Sequence, residues 1–277
     1  MRYAILSDVH SNLEALRAVL DAISGEDAGR IVCLGDIVGY NADPGPCVSL
    51  LREAGAHCVA GNHDRAVTGQ ITTDGFNPLA ARAVAWTRGQ LGAEAMDFLR
   101  GLPLKASFGS DLVAVHGALH PDVGCELVRL DSDERRRLSF EALVEHPSGS
   151  RICAFGHTHR PGIHEYRHGT TLTHAGDEVI MREGAHYLVN PGTVGQPRTG
   201  DDRATYMVLD TERATISIRR VVYDMRPALS KTRKAGLAAR LSRVPEPYRS
   251  VLRRIWRSVP GRGSQSWQRR LWPKPEA

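Results

Sequence analysis

Asp8 and His10 stand two residues apart, directly after the apolar run Ala4-Ile5-Leu6. Two residues along an extended chain return to the same side, so a carboxylate and an imidazole placed this way can address one cation. The pair alone is weak evidence, because a short acid or an imidazole at a loop start is more often a cap or a turn residue. The arrangement recurs, however. Apolar runs also stop at Gly35-Asp36, Gly61-Asn62-His63-Asp64, His116-Gly117 and Gly156-His157-Thr158-His159. Collected, the chemical residues are Asp8, His10, Asp36, Asn62, His63, His116, His157 and His159. Each singly could be a hydrogen-bonded core group. Five strand ends that all carry oxygen or imidazole donors point to a shared partner, because isolated buried charges are costly unless paired or metal-bound.

A donor set of carboxylate, amide oxygen and imidazole suits Mn, Fe, Zn or Co better than the all-oxygen shells of Ca or Mg. With His63 set aside, seven ligands sharing one carboxylate make two four-ligand sites, each with room for solvent. Asp36 is the natural bridge. Two divalent ions about 3.5 to 4 Å apart hold both attacking and leaving oxygens during displacement at phosphorus, and solvent between them becomes a nucleophile near neutral pH. No Ser or Cys lies in a Gly-x-Ser-x-Gly context. The expected reaction is therefore in-line attack by a metal-bridging hydroxide, without a covalent phospho-enzyme.

The elements that must position these groups follow from the hydrophobic pattern. Residues 2–6, 30–34 and 57–60 read as buried strands, with helices over 13–20 and 46–54 between them. Strands alternating with helices imply parallel pairing and right-handed crossovers, which bring all three strand ends to one edge. Ligands of open α/β sheets gather at that edge. Residues 65–101 read as mainly helical cover, with segments 79–86 and 91–99. Residues 104–108 and 111–115 form a hairpin about Gly109-Ser110, and 152–155 is another buried strand. The charged stretch 131–137 reads as the solvated start of a helix continuing over 140–145. From residue 162 the pattern changes to successive strands, over 162–166, 178–182, 187–189, 205–209 and 214–222, which predicts a second sheet packed on the first. The long turn Asn190-Pro191-Gly192-Thr193-Val194-Gly195-Gln196-Pro197-Arg198 can present backbone N–H groups and Arg198 to an anion.

A chain of 277 residues can bury a large core. Its 42% hydrophobic and 24% charged content is that of an ordinary globular protein. No stretch has the apolar length of a membrane span and the start has no signal-like core, so a cytoplasmic protein is expected. Five cysteines, none in a Cys-x-x-Cys pair, read as reduced thiols. The net charge of +5 is uneven: from Arg226 to the end there are fourteen Lys and Arg against two acids, a local +12, which leaves −7 for residues 1–225. Within that basic end, residues 248–259 place Val251, Leu252, Ile255 and Trp256 on one helical side among arginines. Such a segment can contact nucleic acid or an anionic membrane surface, or pack on the acidic body, the reading favoured here. Residues 261–277 read as disordered.

Asp8-x-His10, Gly35-Asp36, Gly61-Asn62-His63-Asp64, Val115-His116-Gly117 and Gly156-His157-Thr158-His159, in that order, resemble the calcineurin-like metallophosphoesterase superfamily. The stretches from Ser7 to Leu16 and from Asn190 to Arg198 are similar to its small bacterial and archaeal YfcE-like phosphodiesterase branch. The resemblance spans residues 1–245 as one domain, with 246–277 a basic extension. It implies an α/β protein, a four-layer α/β/β/α sandwich of two mixed β-sheets flanked by helices, closed by a helix over 223–241 on the second sheet. It implies that Asp8, His10, Asp36 and His159 hold one metal, and Asp36, Asn62, His116 and His157 the other, with Mn²⁺ foremost and Fe, Zn, Co or Ni possible. His63 would contact the phosphoryl group and protonate the leaving oxygen, with Asp64 orienting its ring. Ser11 departs from the glycine of many members. Asn12 either touches a phosphate oxygen or caps a helix, and Tyr40 either stacks on a base or packs at the rim. His120, His146, His164, His168, His174 and His186 read as surface or structural residues. The substrate class is a small-molecule or nucleotide phosphoester. A dinucleoside-polyphosphate hydrolase, a protein phosphatase or a non-catalytic scaffold on the same fold are the competing expectations.

Overall fold

Alternate residues of the first strand serve two different cores. Ala4 and Leu6 pack outward against helices, while Tyr3 and Ile5 pack inward against a second sheet. A strand whose faces are both buried must lie inside a layered structure.

In the computed structural model, which describes residues 1–238, the first half of the chain alternates strand and helix. It runs β1 (Arg2–Leu6), α1 (Leu13–Ser24), β2 (Arg30–Cys33), α2 (Pro44–Glu53), β3 (His57–Cys58), α3 (Asn62–Thr68), α4 (Pro78–Arg88) and α5 (Ala93–Arg100). Then come β4 (Lys105–Phe108), β5 (Leu112–Val115), α6 (Asp133–Val144) and β6 (Ile152–Ala154). The remainder is β7 (Gly162–Arg167), β8 (Thr170–His174), β9 (Glu178–Ile180), β10 (His186–Asn190), β11 (Ala204–Asp210), β12 (Thr215–Val221) and α7 (Arg226–Lys234). One six-stranded sheet has the order β3-β2-β1-β11-β12-β9, and the other β4-β5-β6-β10-β7-β8. Both are mixed: β1, β2 and β3 are parallel and β11 antiparallel to β1, while β5, β6 and β10 are parallel and β7 antiparallel to β10.

Three cores separate four layers. Leu16, Val19, Leu51, Val67 and Leu99 of the N-terminal helices cover the outer face of the first sheet. Ile5, Val32, Leu34 and Met207 meet Ala114, Ile152, Tyr187 and Val189 between the sheets. Phe140 and Leu143 of α6 cover Val113, Val115, Cys153 and Leu188 on the far side. This is the expected α/β/β/α sandwich. All five cysteines are buried and unpaired, and no described helix is long and apolar enough to cross a membrane.

The later strands depart from the expectation of a separate second sheet. They divide: β11, β12 and β9 complete the first sheet, and β10, β7 and β8 extend the second. β1 would otherwise present a buried open edge, and the residues of β11, buried from Ala204 to Leu209, fill it. β8, an exposed edge strand with no apolar alternation, was not expected. α7 packs beside α1, on the first sheet's side, and does not close the second sheet. The predicted helix over 248–259 and the extension from 246 lie outside the described residues.

The two parallel crossovers put the ends of β1, β2 and β3 side by side. The ends of β2 and β3 touch through glycines. Gly35 has φ of +89°, and a Cβ there would fall 2.4 Å from the Gly61 nitrogen; a Cβ on Gly61 would fall 2.1 Å from Asp36 Oδ1. Substitution at Gly35 therefore meets both a left-handed backbone, about 1–2 kcal/mol, and a backbone clash, about 1–3 kcal/mol. Gly75, at φ of +81° in open space, meets the first alone. In urea unfolding Gly35→Ala is expected to lose about 2–5 kcal/mol and Gly75→Ala about 1–2 kcal/mol. Equal losses would show that the close approach constrains nothing.

Candidate metal centre

Asp8 and His10 follow β1, and Asp36 follows β2. Asn62 and His63 open α3 just after β3, His116 follows β5, and His157 and His159 follow β6. The two sheets thus bring their ends together, and the expected ligands meet. Two groups form among the described residues, Asp8, His10, Asp36 and His159 on one side and Asp36, His116 and His157 on the other, each with its ligand atoms within 4.8 Å of one another. Asn62 Oδ1 joins the second, 3.1 Å from His116 Nε2. Asp36 belongs to both groups. Its Oδ2 lies 3.5 Å from His10 Nε2 and 3.4 Å from His116 Nε2, while its Oδ1 accepts the His63 backbone N–H at 2.8 Å.

Hydrogen bonds on the far side of the rings decide which nitrogens are free. His10 Nδ1 lies 3.2 Å from Val38 O, His116 Nδ1 2.8 Å from Leu34 O, and His159 Nδ1 2.7 Å from Gln196 O. A carbonyl can only accept, so in each neutral ring Nδ1 carries the proton and Nε2 presents a lone pair. Yet His10 Nε2 faces His159 Nε2 at 3.1 Å, and His116 Nε2 faces His157 Nδ1 at 3.2 Å. In the His10–His159 pair, lone pairs aimed at each other repel unless a cation lies between them; in the His116–His157 pair, the two nitrogens share a proton whose place a cation would take. Asp8 adds to the case: Oδ2 accepts from Ser7 Oγ at 2.7 Å and from the His157 N–H at 3.1 Å, while buried Oδ1 makes no hydrogen bond of good geometry and faces His159 Nε2 at 3.1 Å. These residues fit divalent metal.

The backbone is strained where the ligands sit. Asp8, His10, Asp36, His157 and His159 all have positive φ, between 48° and 61°. Each left-handed non-glycine residue costs about 1–2 kcal/mol, strain of a kind that clusters at functional sites. Ser11, at φ of +56°, is strained too. A glycine would take this conformation without strain.

Other expected residues are placed differently. Asp64 does not orient the His63 ring, and this is a correction: at the third position of α3 its carboxylate turns back, accepting from Gly61 N at 2.9 Å and Val38 N at 3.2 Å. Buried His63 Nδ1 has no partner. The ring is held instead by Tyr40, Phe76 and His10, with centroids at 4.7, 5.2 and 4.9 Å. Tyr40 is thereby a packing residue. Asn12 Oδ1 caps α1 through Ala15 N at 3.1 Å, and Nδ2 donates to Gly195 O and Tyr223 OH, each at 3.1 Å. The capping reading describes it. The turn 190–198 spends its N–H groups inward: those of Gly192, Thr193, Val194, Gly195 and Gln196 all donate within the protein. Arg198, half-buried, keeps a contact to Gln196 Oε1 at 3.2 Å and lies near enough to His63 to lower its basicity.

Some supporting residues were not read from the sequence. Thr193 Oγ1 donates to Asp8 O at 2.8 Å, and Asn190 Nδ2 donates to Gly156 O at 2.9 Å, joining the loops that carry Asp8 and His157. Their only sequence signal was membership of the Asn190–Arg198 turn. Glu126, buried after His116, pairs with Arg65 of α3. None of His120, His146, His164, His168, His174 and His186 belongs to the two ligand groups.

Without metal the centre titrates unusually. Burial holds His63 down to about 4, and burial with the His116 charge holds His157 down to about 3. Burial also keeps His10 well below its ordinary value and His164 down to about 4. Burial would lower His116 as well, but the Asp36 carboxylate prevails and pushes it up to about 9. Burial and the Asp36 charge push Asp64 up to about 7. Histidines with depressed values stay neutral in the fold while the unfolded chain takes up protons, so they withdraw stability as pH falls from about 6.5 to 4. Asp64 opposes them there with one proton. The His116 contribution is complete below about 6.5 and is lost as pH rises through about 9. In EDTA, Tm is expected to fall on both sides of a near-neutral maximum. A Tm that keeps rising as pH falls from 6.5 to 4 would contradict the neutral buried histidines.

The family model of the calcineurin-like phosphoesterase superfamily domain matches residues 1–214. An uncharacterised protein of Methanocaldococcus jannaschii is 38% identical over 239 residues, covering 84% of this chain and 93% of that protein. The crystal structure of a metallophosphoesterase from Sphaerobacter thermophilus is 34% identical, with a TM-score of 0.71 over 94% of this chain and 99% of that one. A hypothetical protein of Pyrococcus horikoshii shares the fold at 17% identity, with a TM-score of 0.69 over 91% of this chain and 97% of that one. A match over most of the chain, with the paired Asp and His groups on the edges of two mixed sheets, shows that the chain belongs to the calcineurin-like phosphoesterase superfamily.

Proposed function

We propose that this protein is a cytoplasmic, binuclear metal-dependent phosphoesterase, with Mn²⁺ its foremost metal, that hydrolyses phosphodiester or phosphomonoester bonds of small molecules or nucleotides. The observation that carries the reading is Asp36 Oδ2, set 3.5 and 3.4 Å from the Nε2 atoms of His10 and His116, one in each ligand group. When bound, two divalent ions supply Lewis acidity toward a phosphoryl oxygen and acidify a water held between them.

The chain supplies the rest. Asp8, His10, Asp36 and His159 hold one ion, and Asp36, Asn62, His116 and His157 the other. Carbonyls of Val38, Leu34 and Gln196 fix three rings in the ligating tautomer. His63 makes no hydrogen bond through its ring, and its buried nitrogen is Nδ1, so Nε2 is left to meet the substrate. It donates to the phosphoryl group or to the leaving oxygen. Arg198, near His63, adds a positive charge for the phosphate. The five free, buried thiols fit a reducing compartment.

The test is hydrolysis of bis-p-nitrophenyl phosphate and p-nitrophenyl phosphate by metal-stripped protein reconstituted with Mn²⁺. Turnover is expected to need metal, and Asp36→Asn is expected to lower it by at least about 10³-fold. Metal-independent turnover, or a fully active Asp36→Asn, would refute the reading. The ratio of the two rates separates diesterase from monoesterase. His63→Asn should slow alkyl esters by about 10²-fold or more while slowing p-nitrophenyl esters far less. Equal losses on both would assign His63 to binding the phosphoryl group rather than to proton transfer.

A further inference from the structure

His10 is a strained ligand, with φ of +48°, and its peptide is held from outside the two strand ends that flank it. Its carbonyl accepts from Asn41 N at 3.2 Å and from Asn41 Nδ2 at 2.9 Å. Asn41 Oδ1 in turn accepts from Thr232 Oγ1 at 3.1 Å. Thr232 lies on the buried side of α7, and Asn41 lies in the loop before α2. An amide that donates to His10 through Nδ2 must present Oδ1 to a donor on its other side, and the Thr232 hydroxyl is that donor.

Two further contacts join α7 and its approach to the same loop. Lys231 Nζ pairs with Glu14 Oε1 at 2.7 Å and with Asp43 Oδ2, whose backbone N–H donates to Ser11 O at 3.1 Å. The hydroxyl of Tyr223 accepts from Asn12 Nδ2 at 3.1 Å. Residues 10–12 are thus tied to the C-terminal side of the chain at three consecutive positions. α7 starts twelve residues beyond the end of the family match at residue 214.

We propose that α7 is a positioning element of the first ligand group, with Thr232 and Asn41 as the positioning residues that hold the His10 peptide in its left-handed conformation. This rests on the metal reading above for its consequence, but not for its structural content. The strain at His10 favours relaxation of the loop, and the hydrogen-bond chain from α7 opposes it. Loss of the Thr232 hydroxyl leaves Asn41 free to flip or to leave His10 O, and the Nε2 lone pair then loses its aim. Supporting interactions of this kind are worth about 10- to 100-fold in metal affinity. The effect is specific: the hydrogen bonds of the His116, His157 and Asn62 group run to Leu34, to one another and to Asp8.

The experiment uses the full chain and three variants: Thr232→Val, which keeps the shape and removes the donor; Thr232→Ser, which restores it; and Ser230→Ala, on the exposed side of the same helix. Amide hydrogen exchange of the metal-stripped protein, read over residues 39–43, is expected to be about tenfold faster in Thr232→Val and unchanged in the other two. Mn²⁺ titration by calorimetry is expected to show one of two sites weakened about 10- to 100-fold in Thr232→Val alone. Unchanged exchange and unchanged Mn²⁺ affinity in Thr232→Val would overturn the proposal. Equal weakening of both sites, or no recovery in Thr232→Ser, would also overturn it, because either result marks a general loss of packing. A wild-type chain that binds no Mn²⁺ while Thr232→Val still exchanges faster would instead refute the metal reading and leave the positioning role standing.

Discussion

Imidazole nitrogens facing each other across 3.1 and 3.2 Å, around the carboxylate of Asp36, are what the rest of the structure is built to sustain. Like groups do not stay so close in a dry interior without something between them. The fold holds them there from behind, with carbonyls of Val38, Leu34 and Gln196 fixing His10, His116 and His159. It also accepts left-handed backbone at five ligands. A divalent cation bound there would complete this arrangement, and its binding energy would offset the strain and the repulsion together.

No single sheet could supply the donors. Asp8, His10, Asp36 and Asn62 come from the first sheet, and His116, His157 and His159 from the second. The packing between the sheets therefore decides the distance between ligands. It is reinforced at the centre: the His157 N–H reaches Asp8 Oδ2, and Thr193 Oγ1 reaches Asp8 O. Metal would bind across a joint that the apolar layer of Ile5, Leu34, Ala114 and Val189 has already closed. Rigidity of this kind is what a two-ion site needs, since aim matters more than affinity at any one ligand.

The ligand residues were legible because each ends a short apolar run, and an apolar run that stops at Asp or His is visible in one dimension. A second sheet was legible from the change of period near residue 162, and the four layers from the resemblance to the family. What was not legible depends on long-range partners. Nothing in residues 204–210 says that they pair with β1 rather than extend the second sheet, since either neighbour would bury both faces. The resemblance implied that Asp64 orients His63, yet the capping geometry of α3 turns its carboxylate to Gly61 and Val38 instead. The turn 190–198 looked like a source of N–H donors, but those donors are consumed in fixing the loops of Asp8 and His157. Thr232 is invisible as a functional residue, because its part depends wholly on where a helix 191 residues after Asn41 docks.

The central claim is that two ions share Asp36. The most direct measurement is metal content of the chain reconstituted with Mn²⁺ and freed of excess metal, read together with its low-temperature EPR spectrum. The account predicts two Mn²⁺ per chain and the exchange-coupled signal of a bridged pair, lost in Asp36→Asn. One Mn²⁺ per chain with an uncoupled six-line spectrum, unchanged by that substitution, would contradict it.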